Sequence, residues 1–373
     1  MKRSAPLCCF GLVVCLLAAC SGDTDAPAGS PPASGELNLY NWSDYIAPGT
    51  LRDFERETGI RVRYDVFDSN ELLEAKLLAG STGYDLVVPS ASFVARQISA
   101  GVFQPLDKAR LPGLSGLDPA VMKILAGYDP DNRHALPWLW GTTGIGYNQE
   151  LIKARMADAP VDSWDLVFKP EVVARFADCG VALLDTPSEI LPLVLRYLGR
   201  TVDSQHAEDL AAAEAVLTAI RPHVRYFHSS QYINDLANGG LCLVVGWSGD
   251  ILMARERGRE AADSREIVYS IPREGSLVWV DTIAIPRDAP NPDNAYRFLE
   301  YILRPTVAAD LSNHVHYANA NPASQALLEP GLREDPAVYP SPETLAALFP
   351  NAVHSAEFDR LASRAWMRIK RGQ

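Results

Sequence analysis

Trp42-Ser43-Asp44-Tyr45 sets an indole, a hydroxyl, a carboxylate and a phenol in four consecutive positions, and the pairing of aromatic with acid recurs along the chain. Trp247 and Asp250 are three apart, Trp279 and Asp281 two apart, Glu189 follows the run VALLD, and Tyr317 follows His316. Such a set suits recognition of a cation rather than bond-making. An indole face attracts an ammonium and its methylenes, contributing about 0.5–2 kcal/mol according to desolvation. Carboxylates add charge-assisted hydrogen bonds. A ligand with an amine at each end of an alkyl chain would satisfy aromatic walls and acidic tips together. A monoamine would leave one buried carboxylate unpaired, which is costly. Taken singly each residue has a plainer role, Trp in a core or Asp as a helix cap; the repeated pairing is what favours binding.

Enzyme signatures approach and fail. GWSGD at 246–250 puts Asp250 where a nucleophile elbow around Ser248 needs its second glycine. GTTGIG at 141–146 has its glycines in the wrong order for a dinucleotide loop. His314 and His316, read as one face of a strand, lack a third ligand nearby, so neither a metal nor any other cofactor is expected.

The elements that must position the aromatic–acid pairs read as α/β. LNLYNW alternates as a half-buried strand. Thr50 is the expected cap of a helix ending at Gly59, with Asp53 as its capping-box partner. Residues 60–66 alternate as a second strand, and Ser69 caps a helix that stops at Gly80. YDLVVPS is apolar enough to be a strand buried on both faces. Strand-helix-strand-helix-strand implies a parallel sheet, and ligands of such sheets sit at the carboxyl ends of strands. Trp42 to Tyr45 and Ser90 lie there. A second α/β set runs from about 144 to 250, including GVALLD, helices near 190–198 and 207–220, and the strand LCLVVGW. IVYSIP and LVWVDTIAIP add strands, a helix begins near Pro292, and the last 65 or so residues are helical or irregular. Two lobes with a cleft between them are the natural assembly.

The chain has 373 residues and a formal charge of −12. Lys2 and Arg3, an apolar run from Phe10 to Leu17, and Leu17-Ala18-Ala19-Cys20 make an export signal. An ordinary secretory signal with an incidental Cys20 is the alternative to lipidation there. Loss of residues 1–19 leaves 46 acidic against 32 basic residues, a balance of −14. That charge disfavours nucleic acid and anionic lipid and suits cationic ligands, or serves solubility alone. Residues 21–36 read as a flexible tether, and no later segment is apolar for the roughly 18 residues of a spanning helix. Only Cys179 and Cys242 remain in the domain, as one disulfide in an oxidising compartment or two buried thiols.

Residues 37–93 closely resemble the periplasmic polyamine-binding proteins, the putrescine and spermidine receptors of ABC importers. The similarity continues through GVFQPLDK, TTGIGYN, PVDSWD, YFHSSQYINDLANG, GWSGD, YSIPREG and HVHYANAN, covering 37–330 in order and weakening towards the C-terminus. The Leu-Ala-Ala-Cys box likewise resembles a lipoprotein signal, with Cys20 the lipidated residue of a periplasmic protein; Ser21 is compatible with outer-membrane sorting.

The resemblance implies a two-lobe, type II periplasmic-binding-protein fold that closes over its ligand. It implies a non-enzymatic monomer that delivers polyamines to a permease and ATPase, touches the membrane only through its lipid, and binds no nucleic acid. A sensor that signals through a membrane partner is the alternative. The implied ligand-binding positions are Trp42, Ser43, Asp44, Tyr45, Ser90, Glu189, Trp247, Asp250, Trp279, Asp281 and Tyr317, and Cys179–Cys242 matches the family's disulfide. Putrescine-selective relatives have Phe at Trp279, whereas Ser43-Asp44 follows the putrescine pattern, and Asn351 falls where the two groups differ. The expected boundaries are 1–19 signal, 20–36 tether, 37–141 with 253–305 as the first lobe, and 142–252 with 306–373 as the second, hinged near Gly141 and Ile251.

Overall fold

The computed structural model describes residues 35–260 and 265–372. The signal 1–19, Cys20 and the tether up to residue 34 lie outside the described residues. Among the described residues ten strands build the frame: β1 (Gly35–Trp42), β2 (Ile60–Phe67), β3 (Leu86–Val87), β4 (Ala135–Asn148), β5 (Val181–Leu183), β6 (Tyr226–Phe227), β7 (Leu243–Trp247), β8 (Ile267–Ser270), β9 (Leu277–Ala284) and β10 (Phe349–Pro350). Their order is β2-β1-β3-β9-β4-β7-β5-β6, with β8 on β4 and β10 on β9. The first three strands run parallel, and the late strand β9 enters antiparallel between β3 and β4. This is the expected two-lobe α/β architecture. Each lobe has its own core, one around Leu37, Phe54, Ile60 and Phe298, the other around Trp164, Phe168, Val194 and Leu243.

β4 serves both lobes. Its residues up to Thr142 pair with β9, whereas Thr143 onward pair with β7 and β8. The TTGIG pattern is thus a packing requirement of a crossing strand. A Cβ on Gly144 would come within 2.5 Å of Tyr269 Oη, closer than packed atoms allow.

The lobe boundaries differ from the expected ones. Ile251 is no crossing, because the chain goes on into β8, which pairs with residues 145–148 of β4 in the second lobe. The return to the first lobe comes at β9: Leu277 lies in the second core and Val280 in the first. Leu311, Val315 and Tyr317 also pack in the first core, so 306–320 belongs there. The chain goes back at β10, whose Phe349 pairs with Leu277 and packs on the second core, and the final helix Ala356–Arg371 buries Phe358, Ala365 and Trp366 there.

Local signals fare unevenly. Ser69 caps its helix through Leu72 N, 3.2 Å away, and Gly59 closes the helix Pro48–Thr58 in the left-handed conformation. Thr50 is not the cap. Pro48, whose φ is preset for a first turn, starts that helix three residues earlier, with Ala47 in the cap position. His314 and His316 lie at the end of the helix Pro305–Val315, with His316 in the left-handed region, and not on a strand. Cys179 and Cys242 form the disulfide, with Cα atoms 5.6 Å apart. It joins the approaches to the paired strands β5 and β7. Among the described residues no helix is long and apolar enough to cross a membrane.

Candidate functional site

All eleven aromatic, acidic and hydroxyl residues singled out above line one cavity between the lobes. The loop after β1 is shaped locally. The buried Asn41 side chain accepts from Trp42 N at 2.8 Å and donates to Tyr45 O at 3.1 Å. Asp44 takes a positive φ of 53° to make the turn. Trp42 donates its indole N–H to Val88 O (2.9 Å), and its ring meets that of Trp247, from the other lobe, edge-on at 6.0 Å. Tyr317 packs at right angles to Tyr45 (5.2 Å) and against Trp279 (5.3 Å). Gly249 is needed for this wall, since a Cβ there would lie 2.5 Å from the Tyr317 ring. Ser248 is buried, and its Oγ accepts from Thr142 N at 3.4 Å.

Three carboxylates are held at the cavity by neutral donors. Asp281, 6% exposed, accepts from Ser90 Oγ at 2.5 Å, and Ser90 in turn is held by Asn70 through two bonds. Asp250, 8% exposed, accepts from Tyr232 Oη (2.7 Å) and Tyr317 Oη (2.6 Å). Glu189, in the first turn of the helix Pro187–Tyr197, accepts from Thr143 Oγ1 (2.5 Å) and Trp247 Nε1 (3.0 Å). Burial pushes Glu189 and Asp281 up to about 7 and Asp250 up to about 6, with the donors opposing the rise in each case. Burial also holds the Tyr45, Tyr232 and Tyr317 phenols well above their usual range.

Among the described residues, no lysine, arginine or histidine lines the cavity. Trp279 Nε1 and Tyr45 Oη are buried without a well-formed hydrogen bond. A desolvated carboxylate normally has a cationic partner, and the lining of this cavity supplies none. Aromatic walls between the carboxylates leave an apolar path suited to methylenes.

Asp44 differs from the other acids. Its side chain is 58% exposed, with Arg257 of the opposite lobe 4.0 Å away. Asp68, which accepts from Ser43 Oγ at 2.8 Å, also stands among the lining residues, as do Phe67, Ser229, Ser230 and Ile233. Phe67 and Asp68 close and follow β2, so the strand-end rule that located Trp42 would have found them. Ser229 and Ser230 follow β6, whose two residues carry no periodic signal. Asn351 does not line this cavity; it lies in a separate one with Glu71, Arg96 and His354.

Comparison with known proteins adds an independent line. The profile of the bacterial extracellular solute-binding protein family matches residues 50–340. The putrescine-binding periplasmic protein PotF of Escherichia coli (strain K12) is 53% identical over 339 residues, covering 90% of this chain and 92% of the relative. The putrescine-binding periplasmic protein SpuD of Pseudomonas aeruginosa (strain UCBPP-PA14) is 50% identical over 338 residues, covering 90% and 92%. A solved structure from Listeria monocytogenes, described as a spermidine/putrescine ABC transporter, superposes with a TM-score of 0.81 at 31% identity, covering 91% of this chain and 100% of that one.

Proposed function

We propose that this chain, which belongs to the bacterial extracellular solute-binding proteins, captures polyamines in the periplasm and hands them to an ABC importer. It is a binding protein and not an enzyme. The observation that carries the ligand assignment is the set of three carboxylates, the buried Asp250 and Asp281 and the half-buried Glu189, between indole and phenol walls, with no cationic side chain lining the cavity among the described residues. Asp281 and Tyr45 receive one ammonium, and Glu189 and Asp250 the other. Trp42, Trp247 and Trp279 enclose the methylenes, while Ser43, Ser90 and Tyr317 orient the acids and rings. The lobes close over the ligand about the strands that pass between them, and Cys20 tethers the protein to a membrane through its lipid.

Putrescine is the primary ligand in this reading. Ser43 and Asp44 follow the putrescine pattern, and the relatives named above at 53% and 50% identity bear putrescine in their names. The indole at Trp279 adds apolar surface that extends acceptance to spermidine.

Titration calorimetry with putrescine, cadaverine, spermidine and spermine at pH 8 tests the assignment. Putrescine is expected to bind with a micromolar or smaller Kd, about −8 kcal/mol or better, and acetylating one amine should remove most of that affinity. Absence of heat from all four amines at several temperatures would overturn the reading.

A further inference from the structure

We infer that Thr143 is a positioning residue of the amine site, aiming the Glu189 carboxylate from the point where β4 leaves one lobe for the other. This rests on the polyamine reading above and names a part of the machinery that does not itself line the cavity. Thr143 is fully buried, and its hydroxyl donates to Glu189 Oε2 at 2.5 Å. It opens the second-lobe half of β4, opposite Trp247, while Thr142 closes the first-lobe half, opposite Val278.

Both residues are tied into the crossing. The Thr143 carbonyl accepts from Ser276 Oγ, just before β9, and Thr142 shares hydrogen bonds with Tyr269 Oη at 2.7 and 2.9 Å. Glu189 is thereby bonded directly to a strand that changes lobes, and Trp247 Nε1 is its other donor.

The hydroxyl does what a packing methyl cannot. A hydrogen bond to an ionised group stabilises that form, so Thr143 keeps Glu189 able to ionise despite its desolvation. The other acids that Glu189 feels, Asp281 and Glu71, oppose ionisation, as burial does most strongly. With the hydroxyl gone, only Trp247 Nε1 would favour the charged carboxylate, and one oxygen would be free to turn away from the cavity.

The test compares Thr143→Val, which keeps the shape and removes the donor, with Thr143→Ser, which keeps the donor. Putrescine affinity is measured by calorimetry from pH 5.5 to 8.5. Thr143→Val is expected to lose about tenfold to a hundredfold at pH 7, to shift the midpoint of the pH dependence upward, and to regain most of the affinity on raising the pH. Thr143→Ser should stay within about threefold of the unaltered protein with the same midpoint. In a Glu189→Gln background the valine change should cost less than about threefold. Should the valine variant fold poorly by circular dichroism, Thr143→Ala carries the same expectations. Loss of affinity with an unmoved pH midpoint, or no loss at all, would overturn the inference while leaving the amine site intact. Absence of putrescine binding by the unaltered protein would instead remove the reading on which it rests.

Discussion

Asp281 and Asp44 line the same cavity at opposite levels of solvation. Asp281 is 6% exposed, bonded to Ser90 and surrounded by rings. Asp44 has a side chain 58% exposed, with a guanidinium 4.0 Å away. Equal formal charge therefore has unequal value. Water already solvates the Asp44 carboxylate, and exposed pairs contribute about 0–1 kcal/mol. Asp281 has given up its water for the Ser90 hydroxyl and the less well aligned Tyr45 phenol, so a ligand ammonium would be its first charged partner. Affinity is thus expected to concentrate in the dry part of the cavity, with the mouth steering approach.

The largest effect should come from Asp281→Asn, which keeps the shape and the bond to Ser90 but removes the charge. Losing one partner of a buried charge pair costs about 2–5 kcal/mol, so putrescine affinity should fall roughly 30-fold or more by calorimetry. The same change should raise the melting temperature of the unliganded protein above pH 7, because it removes an unpaired buried charge. A loss confined to threefold would place the ammonium elsewhere.

Acidification should come next. Glu189 and Asp281 at about 7 and Asp250 at about 6 all stand above their unfolded values. Their protonated forms therefore favour the unliganded fold below about pH 4, and that contribution is lost as pH rises towards 7. Binding a dication needs the ionised forms, so it should release protons near neutrality. Affinity should drop about tenfold per pH unit or more below pH 6. Calorimetry in buffers of differing ionisation enthalpy reads the protons released; a flat profile from pH 5 to 8 would mean that the acids are already ionised without ligand.

The smallest effect belongs to Asp44→Asn. Its affinity should stay within about threefold, with a slower association rate at low ionic strength that converges with the unaltered protein at high salt. A hundredfold loss would show that the mouth carboxylate becomes buried on closure and would erase the contrast with Asp281.

The two regions also differ in how far the chain announced them. Trp42 to Tyr45 were legible because a strand signal ended in residues that no strand requires. Trp279 and Asp281 were legible because a period of two puts them on one face. The passage between lobes on β4 was expected near Gly141 and lies at Thr142–Thr143, but the return, expected near Ile251, was not legible: β8 still pairs in the second lobe, and β9, which makes the return, keeps the same alternation on both sides. Thr143 and Tyr232 carry no marker in their types, and only contact with Glu189 and Asp250 gives them a role.

Local order and the residue types at strand ends, read from sequence, set the α/β class, the aromatic–acid inventory and the preference for a cation over a reaction. Tertiary structure alone decided which acids are dry, which hydroxyls hold them, and where the chain returns to the first lobe. Desolvation and partner choice depend on atoms brought together from distant positions, as Ser90 and Asp281 are across 191 residues, and no local pattern records them.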